Sequence, residues 1–274
     1  MTKITVCELH PEMLPQSAEW AAFASRVKRE SPDVLLLNEM PFGPWIAAGE
    51  KPDRSIVEQS QKLHQQGLAG LQELGVPTVL GTIATDQDGC NVNQAFVWTA
   101  EKGAVGVHTK QYFPDEAGFY EARWFGAGQG HFRVVEAGAL RVGFLICSEV
   151  MFNEHARQYG RSGAHLIAAP RATPAGSLGR WLVALRMAAI VSGCYVASSN
   201  RGGTDSKGLR FCGRGWIVDP NGEVVAQTSP ATPVASYDLD VDFAASAQRE
   251  YPCYIPELRQ NHAPQGAETR KRRD

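Results

Sequence analysis

The sequence predicts an α/β protein in which a mixed sheet system is covered by helices. Three observations lead there. Short apolar runs at 34–37 and 140–146 have the length of buried strands. Longer segments with apolar residues at helical spacing, at 17–29 and 180–192, alternate with them. Hairpin turns interrupt the alternation, most clearly Asp219-Pro-Asn-Gly222, so the sheets cannot be purely parallel.

Residues 4–9 alternate and read as the first strand. Ser17 is placed to cap a helix running to Arg29, with Trp20, Phe23, Ala24 and Val27 on one face. Ser31-Pro-Asp33 ends that helix, and the strand at 34–37 follows and runs out at Asn38-Glu39. Asp53 or Ser55 starts a long helix to Leu74, marked by Ile56, Leu63, Leu68 and Leu71 and closed by Gly75 and Pro77. Strands at 79–84 and 94–99 flank the polar turn 86–89, and a third spans 105–110. A strand pair is expected at 132–136 and 140–146, then a helix directly after Cys147. The remainder reads as strand 165–169, helix 180–192, strand 195–199, hairpin 215–218 with 224–227, and strand 234–239.

No repeat, low-complexity segment or internal linker interrupts this pattern, so residues 1–256 are expected to form one domain. Residues 257–274 are expected to form a C-terminal tail, flexible or engaged in an interface. Its basic run, Arg270-Lys-Arg-Arg273, reads as a solvated end rather than a targeting signal. Of the 274 residues, 43% are hydrophobic and 20% charged, with a net charge of −2, the balance of a soluble globular protein. This charge points to neither nucleic acid nor an anionic membrane. No apolar run approaches the roughly 20 residues of a membrane span, and the N-terminal segment has no signal-peptide pattern. Six scattered cysteines without a paired Cys/His spacing speak against structural zinc and fit a reducing cytoplasm.

Cys147 stands where a buried strand breaks into the next element. Side chains at the carboxyl ends of strands face the crevice in which α/β proteins work. A helix beginning there is expected to lower the thiol's pKa and favour the thiolate. A buried structural cysteine is the competing reading. Glu39 and Lys110 stand at two further strand exits. Each alone reads as a solvated loop residue. Together the three supply a nucleophile, a carboxylate base and a cation for an oxyanion, the set that attack on an amide-type carbon requires.

The words around these residues resemble the carbon–nitrogen hydrolases of the nitrilase superfamily. Asp33-Val-Leu-Leu-Leu-Asn-Glu39 resembles the strand that ends in the family's glutamate, although Asn38 stands where proline is frequent. His108-Thr-Lys110-Gln-Tyr-Phe-Pro114 resembles the lysine word, and Gly118-Phe-Tyr-Glu121 resembles the second glutamate of amidase and carbamoylase branches. Gly143-Phe-Leu-Ile-Cys147-Ser-Glu149 resembles the nucleophile word, with Ser148 where an aromatic is common. Segments 163–170, 195–201 and 213–222 are similar to later strands of the family, so the resemblance covers nearly the whole body.

The resemblance implies a four-layer αββα sandwich of two mixed sheets flanked by helices, and assembly as a homodimer or higher homo-oligomer. It implies a thiol amidase that takes a small-molecule primary carboxamide to acid and ammonia. Cys147 would be the nucleophile, Glu39 the general base and acid, and Lys110 with the Ser148 backbone N–H the oxyanion donors. Glu121 would hold Lys110 or orient substrate, with a structural ion pair as the competing reading. An N-carbamoyl amine hydrolase is the alternative activity, followed by a nitrilase and by a noncatalytic interaction protein on the same fold. Amino-acid carbamoylases can carry arginines just after the cysteine, and Val150 and Met151 stand there instead. No metal or organic cofactor is implied. Trp45, Tyr112, Phe113, Glu149 and Arg171 are the expected substrate contacts, with Phe42 and Trp124 as further aromatics near the site. Glu154 and Arg157, a helical turn apart, are expected to be structural and to support the cysteine's turn. A Cys–His dyad through His108, His155 or His165 is the competing catalytic scheme.

Overall fold

Alternation of side chains across strands builds two hydrophobic faces from one sheet. The computed structural model describes residues 1–11, 13–130 and 132–257. The strands are β1 (Thr2–Leu9), β2 (Val34–Leu36), β3 (Thr78–Gln87), β4 (Cys90–Thr99), β5 (Gly103–Thr109), β6 (Val135–Ala137) and β7 (Leu140–Phe144). They continue as β8 (Leu166–Ala168), β9 (Tyr195–Ser198), β10 (Asn200–Thr204), β11 (Arg210–Cys212), β12 (Trp216–Val218), β13 (Val224–Gln227) and β14 (Val234–Leu239). The helices are α1 (Ala18–Glu30), α2 (Arg54–Gly70), the single turn α3 (Glu121–Trp124), α4 (Asn153–Arg161), α5 (Leu178–Ser192) and α6 (Val241–Ala247).

One sheet runs β11-β10-β1-β2-β3-β4-β5, with β14 also paired to β1. The other runs β13-β12-β9-β8-β7-β6. Both are mixed: β1–β2–β3 and β7–β8–β9 are parallel, while the hairpins are antiparallel. Ile4, Val6, Val34 and Leu36 face the second sheet and pack with Val142, Phe144, Leu166 and Val196. Their neighbours Cys7, Leu35 and Leu37 point the other way, onto Trp20, Phe23 and Val27 of α1. Trp181, Leu185 and Ala188 of α5 with Ala156 and Tyr159 of α4 cover the second sheet. The layers are therefore helix, sheet, sheet, helix, the α/β sandwich expected.

The caps explain where helices begin. The Trp20 N–H donates to Ser17 Oγ at 3.0 Å, and the Ser55 and Ile56 N–H groups donate to Asp53 Oδ1. The hairpin turn at 219–222 closes with the Gly222 N–H on Asp219 O at 2.9 Å, and its φ of +85° needs glycine.

Four expectations need correction. The helix expected to reach Leu74 stops at Gly70 and tightens into a 3-10 turn, Leu71–Leu74, which sends both leucines into the core beside Trp20. The strand expected at 132–136 is only Val135–Ala137. The segment after Cys147 is first a 3-10 turn, Cys147–Met151, and becomes α-helical only at Asn153. Arg157 has a structural role, but at the far end of the described chain rather than at the cysteine's turn. It reaches the carbonyls of Pro252 and Ile255 and the Glu257 carboxylate, tying α4 to the end of the described chain. Strands β10 and β11 and helix α6 were not foreseen, being short and in part glycine-rich. Of the expected tail, residues 258–274 lie outside the described residues.

Candidate active site

Three strand exits meet where the two sheets face each other. After β2, the Leu37 N–H still bonds Leu80 O, and the Glu39 N–H reaches across to Arg171 O at 3.3 Å. Met40 then turns the chain away with φ +43°, its N–H held by Thr82 Oγ1 at 2.8 Å. The buried Arg201 guanidinium fixes this turn by donating to the carbonyls of Pro11, Gly43, Met40 and Glu39. After β5, the Lys110 N–H bonds Asn93 O at 2.9 Å. After β7, the Leu145 and Cys147 N–H groups bond Ala168 O and Pro170 O, so parallel pairing continues to the nucleophile candidate itself.

Cys147 has φ +49°, a region costly for a residue with a Cβ. The surroundings hold it there. Glu149 is fully buried, and its Oε2 accepts from the Ile146 N–H and pairs with His108 Nε2, each at 2.8 Å. Its Oε1 accepts from the Gln111 N–H at 2.8 Å. This carboxylate thus ties the cysteine's turn to the chain just past Lys110. Ser148 Oγ donates to Tyr112 O and adds a second tie.

Glu39, Lys110 and Glu121 are all 0% exposed and form one ionic cluster. Lys110 Nζ donates to Glu39 Oε1 at 2.7 Å and to Glu121 Oε2 at 2.6 Å. Glu39 Oε1 also accepts from Asn93 Nδ2 at 2.8 Å. The other oxygens, Glu39 Oε2 and Glu121 Oε1, are buried without a hydrogen-bond partner. A buried carboxylate oxygen without a protein partner keeps lone pairs that can accept a proton or a ligand's N–H.

The electrostatics follow from burial and charge count. Burial pushes the Cys147 thiol well above its ordinary value; the Glu39 carboxylate pushes the same way, and Lys110 only partly opposes them. The expected lowering by a helix start is therefore overturned. The turn is a short 3-10 segment, and desolvation beside a carboxylate outweighs it. Burial disfavours the Lys110 ammonium, yet Glu121 and Glu39 more than compensate and hold its pKa above the ordinary range. Two carboxylates around one ammonium leave an excess negative charge. Burial accordingly raises the Glu121 carboxyl.

Cys147, Ser148 and Glu121 line a cavity of about 370 Å³ with Pro114, Phe119, Ala172, Thr173 and Trp181. Ser148 stands in the first turn of its 3-10 helix, where N–H groups have no intrahelical acceptor. The expected substrate contacts lie elsewhere. Trp45 is buried in an aromatic cluster with Phe119 and Phe211, its Nε1 on Gly118 O. Phe42 packs on Trp20, and Trp124 donates to Gly49 O. Tyr112 stacks on Phe152 and pairs with His155, and Phe113 stacks on Phe125 with Lys110 Nζ 5.6 Å from its ring. Arg171 is fully enclosed, donating to Ser198, Thr173 and the Arg214 carbonyl while resting on the Trp216 ring. None of these expected contacts lines the cavity around Cys147.

The histidine scheme finds no geometry. His108 is held by Glu149, His155 by Tyr112 and the Phe132 ring, and His165 Nδ1 accepts the Arg141 N–H. Among the other cysteines, Cys7 and Cys194 are buried and burial raises both to about 12. Cys212 is engaged with Thr173 and Asn200 behind the cavity wall. Sequence reading missed Asn93 and Arg201. An asparagine at a buried strand position was the available signal for the first.

This fold and this cluster define a hydrolase that attacks carbon bonded to nitrogen. The family described as Carbon-nitrogen hydrolase matches residues 5–249, so the chain belongs to that family, within the nitrilase superfamily. It is an enzyme of non-peptide carbon–nitrogen bonds. A nitrilase of Pyrococcus abyssi is 25% identical over 257 residues, covering 87% of this chain and 90% of that protein. An N-carbamoylputrescine amidase of Arabidopsis thaliana is 26% identical over 246 residues, covering 80% and 81%. A solved mutant of the amidase from Nesterenkonia sp. AN1, whose active-site cysteine has added acrylamide, shares the fold with a TM-score of 0.74 at 18% identity, covering 89% of this chain and 96% of that one.

Proposed function

We propose that the protein is a thiol amidase converting a small primary carboxamide to a carboxylic acid and ammonia. The observation that carries this reading is the buried, partnerless Glu39 Oε2 in the same cluster as Lys110 and the strained Cys147. In this mechanism Cys147 Sγ attacks the amide carbon as Glu39 Oε2 takes the thiol proton. Lys110 Nζ and the Ser148 N–H stabilise the oxyanion. Glu39 delivers its proton to the departing ammonia, then draws a proton from water. The resulting hydroxide cleaves the thioester, releasing acid and restoring the thiol. Glu121 positions Lys110 and is itself part of the cavity wall, so it is placed to orient the substrate amide.

The carbamoylputrescine amidase among the relatives favours a second reading, hydrolysis of an N-carbamoyl amine with release of carbon dioxide as well as ammonia. Ammonia release from carboxamides, N-carbamoyl amines and nitriles, compared between wild type and Cys147→Ala, separates these. Cysteine-dependent release from amides without carbon dioxide supports the amidase; release with carbon dioxide supports the second reading; activity surviving in Cys147→Ala sinks both.

Six free cysteines support a cytoplasmic location, and no helix among the described residues is long and apolar enough to cross a membrane. Val183, Met187 and Ile190 are exposed on one face of α5, which supports a homodimer packed through that layer. A sedimentation mass of one chain would refute it.

A further inference from the structure

The mouth of the Cys147 cavity carries one exposed charge of each sign, and among the described residues neither has an ion-pair partner. Glu116 and Arg180 both line the cavity and both are exposed. Glu116 sits in a tight turn: its N–H donates to Phe119 O at 3.3 Å, and the Phe119 N–H returns to Glu116 O at 2.8 Å. Gly118, at φ +84°, permits that turn. Arg180 stands in the first turn of α5, on the segment that also brings Ser177 and Trp181 to the cavity. Their neighbours are engaged. Asp115 binds Arg123 at 2.7 Å, and Arg186, further along α5, approaches Glu223 at 4.0 Å. Among the described residues no ion pair includes Glu116 or Arg180. Between the mouth and Cys147 the walls are mainly apolar: Phe119, Met151, Ala172, Pro174 and Trp181.

We infer that the substrate's far end is zwitterionic, with a carboxylate read by Arg180 and an ammonium read by Glu116. The substrate class is then a small amino acid bearing a side-chain carboxamide, its methylenes against the apolar walls and its amide at Cys147. This inference rests on the amidase reading and adds what that reading lacks, the chemistry of the distal end. A cavity of about 370 Å³ lies at the small end of ligand pockets, which suits such a molecule. A substrate with a lone negative charge would meet Arg180 but also Glu116, and one with a lone positive charge the reverse. Only a paired charge is favoured by both.

The test uses four amides of matched chain: glutamine, glutaramic acid without the ammonium, 4-aminobutanamide without the carboxylate, and butanamide without either. Turnover is measured as kcat/KM on the wild-type chain, and binding by calorimetry on Cys147→Ala. Glutamine should lead each singly charged amide by about tenfold, the low end for a charge-assisted hydrogen bond at an exposed site. Arg180→Gln should collapse the ratio of glutamine to 4-aminobutanamide. Glu116→Gln should collapse the ratio of glutamine to glutaramic acid. Equal turnover of all four would overturn the inference while leaving the amidase reading intact. Binding in the expected order without turnover of any of the four would remove the amidase reading and keep the recognition. Absence of both binding and turnover would overturn both.

Discussion

A thiol at its ordinary pKa of 9.0 is about 1% ionised at pH 7. Cys147 lies above that value because it is buried and faces the Glu39 carboxylate, so its resting thiolate fraction is smaller still. The reaction then cannot draw on a preformed thiolate. The proton must leave as sulfur attacks, and the only buried acceptor without a partner on Glu39 is Oε2. The perturbation is Glu39→Gln, which removes the nearby negative charge and keeps the shape. Removing that like charge should bring the thiol down, although burial still holds it up. The same change removes the base and should cost about 10²–10⁴-fold in kcat. The assay is the ultraviolet absorbance of thiolate against pH, taken as the difference between each form and its Cys147→Ser counterpart to subtract the other five cysteines. Wild type should show no Cys147 thiolate step below about pH 9, and Glu39→Gln should show a step at lower pH with lower activity. A wild-type thiolate plateau at neutral pH would refute the reasoning, because the thiol would then need no partner to ionise it.

Other consequences of the same cluster are accessible to measurement. Lys110→Met leaves Glu39 and Glu121 buried without their cation. It should lose about 3–5 kcal/mol of stability in urea titration along with activity; full stability would show that the carboxylates are solvated. The Glu121 carboxyl is raised by burial, from an ordinary 4.5 to about 8. A raised acid stabilises the fold fully below its unfolded pKa, and that contribution is lost as pH rises through the folded value. Wild-type stability relative to Glu121→Gln should therefore fall between about pH 4.5 and 8, and a rise over that window would contradict the assignment. At Gly143 a Cβ would run into the Tyr159 ring, whose hydroxyl donates to Phe144 O at 2.8 Å. Gly143→Ala should cost about 1–3 kcal/mol by overpacking and weaken activity through the turn at Cys147; thermal melting at the wild-type temperature would show that the ring moves freely.

Much of this architecture could be read from residue order because local rules and tertiary context agree. Ser17 and Asp53 cap helices where capping chemistry places them, and alternation in 4–9 and 34–37 splits those strands between two cores. Glu39, Lys110 and Cys147 were legible as strand exits, and the fold brings all three together with Glu121. What was not legible depends on contacts far apart in sequence. Asn93 on Glu39, Arg201 on the Met40 turn and Glu149 on His108 join residues 41 to 162 positions apart. The aromatics beside the site-bearing words pack into the core because rings that large fill the spaces between layers. Part of the cavity wall, Ala172, Thr173, Pro174 and Ser177, comes from a connecting segment with no signal of its own. The thiol's raised pKa was missed for the same reason: a helix start is visible in sequence, whereas the burial that outweighs it is not.

The central claim is a covalent thioester on Cys147 formed with Glu39 as proton carrier. Its most direct test is intact-protein and peptide mass spectrometry of the enzyme acid-quenched during turnover of an amide that supports ammonia release. The account predicts an acyl adduct on the peptide containing Cys147, absent in Cys147→Ala and unable to accumulate at the wild-type rate in Glu39→Gln. An adduct on another cysteine, or sustained turnover by Cys147→Ala, would contradict it.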